Sequence, residues 1–377
     1  MIECAGMRIS SIEAYPVSIP LRPRFAIIDA LGKHPISEFV LVAVRTDEGA
    51  VGFGEANVAP GWSGETQEGT LALIRHTLAP VILGRDPRDV GSLAEAMDKA
   101  VFGNPFAKAS LEMALVDLSG KMLQMPACRL LGGQRRAAKI PLKFSIGGFP
   151  PEVAADIAVE MAGRGFRAVK VKVGLGVDGD IARVKAVRSA LGDEFPVAVD
   201  ANGGWSETEA LAVLPHLEAL HINAIEQPLH RRNFRGCARL RKRSSISIIL
   251  DDAIFTAEDV LEAIHCEACD LISIYPGKNG GLWRSLQLAQ IAAAAGMECV
   301  IGSNLEFEVG SAAMLHLAVS IPNLSQSVNH DIIGPLYYEH QIGTQPIRIE
   351  NGCAALPEGN GLGVEMDVVR IQEGRYQ

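Results

Sequence analysis

The second half of the chain repeats one pattern, in which a short apolar run ends in a polar or charged residue and is followed by a helical stretch. Strands that alternate with helices predict parallel pairing. Eight runs at a period of about 25 to 28 residues favour a closed TIM-type barrel, because an open eight-stranded sheet would be unusually large for this span. The runs are IPLKFS at 140, AVKVKVG at 168, PVAVDAN at 196, NAIEQP at 223, SIILDD at 247, LISIYPGKNGG at 271, ECVIGSN at 298 and QSVNHDIIGP at 326.

The first 135 residues have a different pattern. Alternating apolar and polar positions predict antiparallel strands at Ile9 to Ile19 and at Phe39 to Arg45, with a long polar loop between them. Apolar residues at helical spacing predict helices at 66–80, 88–101 and 106–124. We therefore expect an α/β fold: a TIM-type (β/α)7β barrel at 136–340 with an α+β N-terminal capping domain at 1–135. The C-terminal segment, 341–377, is too long for the barrel and is expected to return to the cap.

Charge and cysteine content exclude several classes of protein. The 377 residues carry 35 Lys and Arg against 44 Asp and Glu, a net charge of −9, without a long basic run, so nucleic acid is not an expected partner. The N-terminus lacks a signal-peptide pattern and no window reaches the roughly 18 to 20 apolar residues that span a bilayer, so we expect a cytoplasmic protein without a membrane partner. Seven cysteines, including the CxxC pair Cys266 and Cys269, indicate reduced thiols rather than a disulfide framework.

Charged residues follow the predicted barrel strands at regular intervals. Lys170 and Lys172 share one strand face, and two lysines inside a barrel are costly without partners or a task. The next strands end in Asp200, Glu226 and Asp251, at successive spacings of 28, 26 and 25 residues from Lys172. Three carboxylates at the C-terminal mouth of a barrel repel one another unless a cation neutralises them. Such oxygen ligands suit Mg²⁺, or Mn²⁺ as a substitute, whereas any single acid is equally well explained as a helix cap.

The same residues carry a resemblance. The ordered motifs Lys170-Val171-Lys172, Asp200-Ala201-Asn202, Glu226-Gln227-Pro228 and Asp251-Asp252 resemble the enolase superfamily, specifically its muconate lactonizing enzyme subgroup. FGNPFAKASLEMALVDLSGKMLQMPACRLLGG is similar to the subgroup's linker helix, and GPLYYE and LPEGNGLGVEMD are similar to its C-terminal segments. The resemblance covers nearly the whole chain, with the motifs in order.

This resemblance implies a chemistry. Asp200, Glu226 and Asp251 would bind Mg²⁺, with the carboxylate of a small-molecule substrate as a further ligand. Lys172 would remove the proton α to that carboxylate, and Lys170 would hold the carboxylate and depress the pKa of Lys172. The resulting dianionic enediolate must be stabilised by metal and lysine charge. The resemblance also implies substrate contacts by Asn202 and Asp252, and a homo-oligomer.

One position departs from the subgroup's pattern. Strand six usually carries a second catalytic lysine on the opposite face of the substrate, but Tyr275 stands there, and Lys278 matches a neighbouring lysine of the pattern. Because two-base racemisation needs an acid or base on each face, we expect one-base chemistry by Lys172, either a muconate cycloisomerase-like isomerisation or a syn elimination. Either Tyr275 or Lys278 is a catalytic candidate to replace the second lysine, and Tyr275 otherwise fills space or donates a proton or hydrogen bond. A dehydratase or epimerase of the same superfamily, acting on acid sugars or on hydroxy or amino acids, is the alternative.

Further site residues follow from the resemblance. GSNLEFEVGS is similar to the subgroup's GTMLEGSIGT, which implies a substrate-binding role for Glu306, while His330 and Asp331 are either site or rim residues.

Specificity is implied to come from the cap. Its first loop offers Arg22, Arg24, Phe25 and Ile27, and a second loop offers Trp62. The arginines would clamp a distal carboxylate, as a dicarboxylic substrate requires, or else are solvated surface residues.

Three rival interpretations stay open. Gly174 to Gly179 satisfy GxGxxG, but the preceding strand carries two inward lysines and lies inside a barrel, unlike a dinucleotide-binding strand. A class I aldolase also uses a barrel lysine, as a Schiff base without metal. A non-catalytic binding barrel is the third alternative, because one fold hosts many functions.

Overall fold

The computed structural model describes residues 7–372, so the ends of the predicted cap and C-terminal segment, residues 1–6 and 373–377, lie outside the described residues. The N-terminal strands are Ile9–Pro20 (β1), Ile27–Asp29 (β2), Gly32–His34 (β3), Ile36–Thr46 (β4) and Val51–Val58 (β5). The N-terminal helices are Pro60–Ser63 (α1), Gln67–Leu73 (α2), Ala79–Ile82 (α3), Val90–Ala100 (α4), Pro105–Met122 (α5) and Ala127–Leu130 (α6). β1, β4 and β5 form an antiparallel sheet, and a π-helical turn, Ile74–Leu78, joins α2 to α3. The predicted strands and helices of this part are confirmed.

Two strand pairings in this part were not predicted. The first loop contains the short hairpin β2–β3, and the turn-rich sequence after β4 continues as β5. Two glycines allow β5 to pack on α5: a Cβ at Gly54 would lie 1.7 Å from the carbonyl oxygen of Ser110, and one at Gly52 would lie 2.1 Å from that of Ala114. The missing side chains therefore permit a close backbone approach.

The second part alternates strands and helices. Its strands are Lys139–Pro141 (β6), Phe144–Ile146 (β7), Val169–Lys172 (β8), Val197–Asp200 (β9), Ala224–Glu226 (β10), Ser247–Leu250 (β11), Leu271–Ile274 (β12) and Glu298–Ile301 (β13). Its helices are Pro151–Gly163 (α7), Val177–Leu191 (α8), Glu207–Ala219 (α9), Phe234–Arg241 (α10), Ala257–His265 (α11), Pro276–Asn279 (α12), Leu282–Ala294 (α13) and Glu308–Ser320 (α14). β7 to β13 form one seven-stranded parallel sheet in sequence order, which fits a TIM-type barrel, but the edge strands β7 and β13 do not pair to close it.

The prediction of an eighth strand at 326–335 is wrong, because these residues form no strand. The side chain of Ser325 accepts the N–H groups of Ser327 and Val328, and this local turn interrupts a ladder. The chain here instead makes two isolated bridges, from Leu324 to Cys299 of the edge strand β13 and from His330 to Leu142, just before the other edge strand β7. The predicted first strand at 140 is divided between β6, which pairs elsewhere, and β7.

The C-terminal segment contains Ile349–Glu350 (β14), Cys353–Ala355 (β15) and Val368–Gln372 (α15). β14, β15 and β6 form a small sheet. Two backbone contacts join this segment to the N-terminal part: Leu362 N–H donates to Asp117 of α5, and Ala127 N–H donates to the carbonyl of Gly361.

The inner face of the seven-stranded sheet changes character along the strands. Apolar side chains near the N-terminal ends form a separate buried cluster: Ala198, Ala224, Ile249, Leu271, Val300 and Val328. Side chains alternate along a strand, so Asp200, Glu226 and Asp251 share the face of Ala198, Ala224 and Ile249. The sheet therefore has an apolar floor beneath a charged C-terminal end.

Residues 7–372 contain no membrane-spanning helix and no disulfide bond. None of the helices there combines the length and apolar composition that a bilayer crossing requires. The cysteines in the same range are free thiols, and Cys266 directly follows the end of α11.

Buried carboxylates from distant parts of the chain cap several helices. Glu112 of α5 accepts the N–H groups of Leu282 and Trp283 at the start of α13, both at 2.8 Å. Glu65 caps α5 and Glu55 caps α14 in the same way. The contacts of Glu112 and Glu55 connect the N-terminal part to the second part of the chain, whereas that of Glu65 lies within the N-terminal part.

We expect Glu112→Ala to lower the free energy of unfolding by about 2 kcal/mol, because two buried N–H groups lose their acceptor. Urea denaturation of the variant measures the loss, with Glu95→Ala on the neighbouring exposed helix face as the matched control. A change equal to that of the control would contradict the role of this contact.

Candidate active site

A cavity of about 250 Å³ lies at the C-terminal ends of the barrel strands, beneath the β2–β3 hairpin and the end of β5. Its floor includes Lys170, Lys172 and the acids of three neighbouring strands: Asp200, Glu226 and Asp251. The sheet register brings them together, since Lys172 pairs with Asp200 and Asp200 pairs with Glu226. The structure therefore groups all five residues predicted from the strand spacing.

The two lysines contact the acids directly. Lys172 Nζ lies 2.7 Å from Asp200 Oδ2 and 2.5 Å from Asn202 Oδ1. Lys170 Nζ lies 2.9 Å from Glu226 Oε1 and 3.5 Å from Asp200 Oδ2. Burial alone would lower the pKa of Lys172, but the charges of Asp200 and Asp29 outweigh it and raise the pKa, while Lys170 opposes them. The expected depression by Lys170 is present and is smaller than the effect of the acids.

The carboxylates carry unmatched negative charge. Burial, with Asp200, Asp331 and Asp251 nearby, raises the pKa of Glu226 despite the opposing charge of Lys170. Glu226 Oε2 is buried and has no hydrogen-bond partner among residues 7–372. Burial and the charge of Asp251 likewise raise the pKa of Asp252. An added cation would relieve this crowding.

The donor chemistry fits a hard divalent cation. Three carboxylates with an unpartnered oxygen among them are the ligands that Mg²⁺ prefers. Lysine Nζ atoms contact Asp200, Glu226 and Asp251 in this structure. Among residues 7–372, no group of three His, Cys, Asp or Glu side chains is arranged closely enough to hold a metal ion. Binding a cation therefore requires the lysine contacts to loosen.

Asp251 is held in place from behind. Lys278 Nζ donates to Asp251 Oδ1 at 2.6 Å and to the carbonyls of Asp251 and Ser273. Gln227 Oε1 accepts the N–H groups of Asp251 and Ala253. Lys278 is fully buried and is not among the described cavity-lining residues, so its contacts orient Asp251 rather than reach the cavity.

Tyr275 lines the cavity immediately after β12. Its ring stacks on Trp62, with centroids 6.2 Å apart and planes 12° from parallel, and Lys278 Nζ lies 4.8 Å from its centroid. A Cβ at Gly302 would lie 2.9 Å from the ring, so this glycine makes room for it. Burial and nearby carboxylates raise the pKa of Tyr275 well above its usual value, which keeps the phenol neutral.

Asn202, Asp252 and Trp62 also line the cavity and contact one another. Asp252 accepts Trp62 Nε1–H at 2.7 Å and Asn202 Nδ2–H at 3.3 Å. These bonds tie the second cap loop to the barrel strands.

A buried ion pair beneath the site was not predicted from the sequence. Lys143 Nζ lies 2.7 Å from Asp331 Oδ2, which also contacts Lys170 Nζ at 3.1 Å. Ser145 donates to the other oxygen of Asp331. A lysine inside the apolar run IPLKFS was the available signal, but its partner lies 188 residues away, beyond any local pattern.

The arginines predicted either to clamp a distal carboxylate or to be surface residues lie on the surface in this structure. Arg22 is exposed and donates to the carbonyl of Tyr338, and Arg24 is exposed and pairs with Glu160 at 3.0 Å. Phe25 is buried against Phe144 and Tyr337. A 3-10 turn, Pro23–Phe25, directs these three side chains away from the cavity, whereas Ile27, predicted in the same loop, lines it.

Glu306 and His330 are buried behind the cavity wall. Glu306 accepts Ser303 Oγ–H at 2.6 Å and Asn304 N–H at 2.9 Å, so it shapes the loop after β13, whose Ser303 and Asn304 do line the cavity. His330 accepts the N–H of Ile301, and burial lowers its pKa to about 3.

Two backbone donors of the glycine-rich sequence after β8 are occupied. The carboxylate of Asp180 accepts the N–H groups of Gly174 and Leu175 and also pairs with Arg183. These donors are therefore not free for a dinucleotide phosphate.

Comparisons with known proteins match this geometry. Residues 12–132 match the family model described as "Mandelate racemase / muconate lactonizing enzyme, N-terminal domain", and residues 152–370 match "Enolase C-terminal domain-like". The chain is 32% identical to an N-succinyl-L-Arg/Lys racemase of Bacillus cereus, over 97% of this chain and 98% of the relative.

Solved structures with the same fold include a 2-chloromuconate cycloisomerase from Rhodococcus opacus, with a TM-score of 0.93, 35% identity and coverage of 98% of this chain and 99% of that one. A dipeptide epimerase from Enterococcus faecalis, complexed with Mg and a Leu-Tyr dipeptide, has a TM-score of 0.90, 33% identity and coverage of 95% and 100%.

Proposed function

Because the chain belongs to the mandelate racemase and muconate lactonizing enzyme family of the enolase superfamily, we propose that it is an isomerase that removes the proton α to a substrate carboxylate, with Lys172 as the base. One observation carries the proposal: Lys172 reaches a cavity whose floor holds three carboxylates from neighbouring strands. Lys172 pairs with Asp200 and also lines the cavity, so a substrate bound there would lie within its reach.

Asp200, Glu226 and Asp251 would hold Mg²⁺, and Mn²⁺ is a chemically similar substitute. When bound, the ion supplies positive charge that faces the substrate carboxylate as its electron density rises. The Mg in a related epimerase structure supports this assignment.

The chain's own residues divide the remaining work. Lys172 acts as a base only when neutral, a state that Lys170 favours and that Asp200 and Asp29 oppose. Lys170 supplies a fixed positive charge beside the substrate carboxylate. Asn202 orients Lys172 through its side-chain oxygen, and the cap residue Trp62 covers the site and excludes water.

The proton returns to the face from which it left, because Lys172 has no lysine counterpart across the cavity. β8 and β12 are separated by three strands, so Lys172 and Tyr275 approach the cavity from different sides. The raised pKa of Tyr275 keeps its hydroxyl protonated, so it would donate a hydrogen bond to a substrate and would not accept the α proton as a second base. This favours cycloisomerase-like, one-base chemistry over two-base epimerisation.

A screen of carboxylates for α-proton exchange in heavy water tests the proposal without presuming a product. Muconates, hydroxy acids and N-acyl or cyclic amino acids form the panel. We expect exchange with at least one class, abolished by EDTA and restored by Mg²⁺. Metal-independent turnover with borohydride trapping of a Schiff base would instead support an aldolase.

We expect Tyr275→Phe to keep α-proton exchange within about tenfold of the wild-type rate, because it removes one hydrogen bond and keeps the stacked ring. Exchange measured by NMR at saturating substrate and Mg²⁺ provides the comparison. A loss of a thousandfold or more would make Tyr275 a second acid or base.

A further inference from the structure

The cap-side wall of the cavity carries negative charge. We define this wall as Ile27, Asp29, His34, Ile36, Glu38 and Trp62. Asp29 and Glu38 contribute carboxylates, and the described lining residues include no arginine and no lysine other than Lys170 and Lys172 on the floor. The cap-side wall therefore adds negative charge with no lysine or arginine of its own to balance it.

Asp29 lines the cavity, and one of its carboxylate oxygens lacks a hydrogen bond within the described residues. Its Oδ1 accepts Leu31 N–H at 2.8 Å and lies 3.3 Å from His34 Nε2, whereas Oδ2 has no hydrogen bond from any residue between Met7 and Gln372. The hairpin that carries it is docked on the barrel, since Gly148 N–H donates to the carbonyl of Ile28 at 2.7 Å. Burial would raise the pKa of Asp29, but the bond to His34 and the charge of Lys172 lower it, so the group is ionised.

Glu38 lies on the central strand β4, opposite Val58 of β5. Its side chain is half-buried and has no hydrogen bond or ion pair with another described residue. The polar residues around it have hydrogen-bond partners of their own: the side chain of Ser37 accepts the hydroxyl of Tyr338, and the carbonyl of Asn57 accepts the side-chain N–H of Asn304. Glu38 is thus the unpartnered acid of the wall.

The nearby cap cations do not balance these acids. Arg22 and Arg24 are engaged on the outer surface, and His34 is the sole basic residue of the defined wall, where it contacts Asp29. A second carboxylate on the substrate would face two carboxylates here, whereas a cation would replace water at both.

We propose that the natural substrate carries an ammonium or guanidinium group distal to its reacting carboxylate, and that Asp29 and Glu38 bind this group. The assignment rests on the proposed function, because it takes the substrate carboxylate to lie over the barrel acids and lysines. It distinguishes the substrate from a muconate, whose second charged group is an anion.

Binding of three six-carbon ligands with saturating Mg²⁺ at pH 7.5, measured by calorimetry, tests the proposal. Hexanoate, 6-aminohexanoate and adipate share one chain and differ in the distal group. We expect 6-aminohexanoate to bind at least about tenfold more tightly than adipate, the change expected from one charged hydrogen bond. In Asp29→Asn/Glu38→Gln the ratio should fall to near one, while Glu48→Gln, an exposed acid in the β4–β5 turn, should keep it.

The outcomes separate the two proposals. If hexanoate binds only with Mg²⁺ but adipate binds as well as 6-aminohexanoate, the cationic substrate is overturned and the proposed function stands. The cationic substrate is also overturned if the double variant keeps the wild-type ratio of affinities for 6-aminohexanoate and adipate. If none of the three ligands binds in a Mg²⁺-dependent way, the proposed function fails and this inference fails with it.

Discussion

Replacing Lys172 with alanine is expected to lower the rate of Mg²⁺-dependent α-proton exchange by about a thousandfold, because Lys170, the other lysine lining the cavity, is held by Glu226 and Asp331 and does not replace it as the base. Lys172 Nζ contacts Asp200 and Asn202, so its loss changes the site without opening the apolar floor beneath it. The exchange rate at saturating substrate measures the effect directly.

Lys185→Ala, at an exposed position of α8, provides the matched control and should exchange at the wild-type rate. Circular dichroism of both variants establishes that they fold. A Lys172→Ala rate within tenfold of the wild type would remove Lys172 as the base, and restoration of exchange by an added primary amine would strengthen the assignment.

Replacing Lys143 with methionine is expected to lower the free energy of unfolding by about 3 to 5 kcal/mol, the usual effect of removing one partner of a buried ion pair. The side chains of Lys143 and Asp331 are almost fully buried, 1% and 2% exposed, and lie 2.7 Å apart. Methionine keeps the side-chain volume and leaves Asp331 with Lys170 as its remaining cation. Urea denaturation measures the change.

Lys139→Met, at an exposed position of β6, should change stability by less than about 0.5 kcal/mol. The double variant Lys143→Met/Asp331→Asn should recover part of the loss, because the uncompensated charge is then gone. A Lys143→Met loss below about 1 kcal/mol would show that the ion pair does not hold the strand β7 and the segment after β13 together.

Local periodicity predicted the parts of the fold that repeat. Alternation along β8 placed Lys170 and Lys172 on one face, and equal strand spacing placed Asp200 and Glu226 beside each other, because parallel neighbours in register keep their order. The same reasoning failed at 326–335, where side chains of Ser325 and its neighbours replaced a ladder with a turn.

Contacts between distant segments could not be predicted in the same way. Arg22 and Arg24 are in the predicted loop, but the local turn directs them outward, and no pattern in the sequence indicates which side of a loop faces a cavity. Asp29 and Glu38 were not singled out, because a lone acid in a loop or strand acquires meaning only beside the cavity. Lys278 matched a motif, yet its position beneath Asp251 follows from the packing of α12.

Exchange of the α proton with heavy water, followed for both enantiomers of a chiral carboxylate identified by the screen, tests the central claim most directly. One-base chemistry by Lys172 predicts that one enantiomer exchanges rapidly with retention of configuration and that its mirror image does not exchange. Equal, rapid exchange of both enantiomers with interconversion would contradict it, because a second base would then be acting from the opposite face.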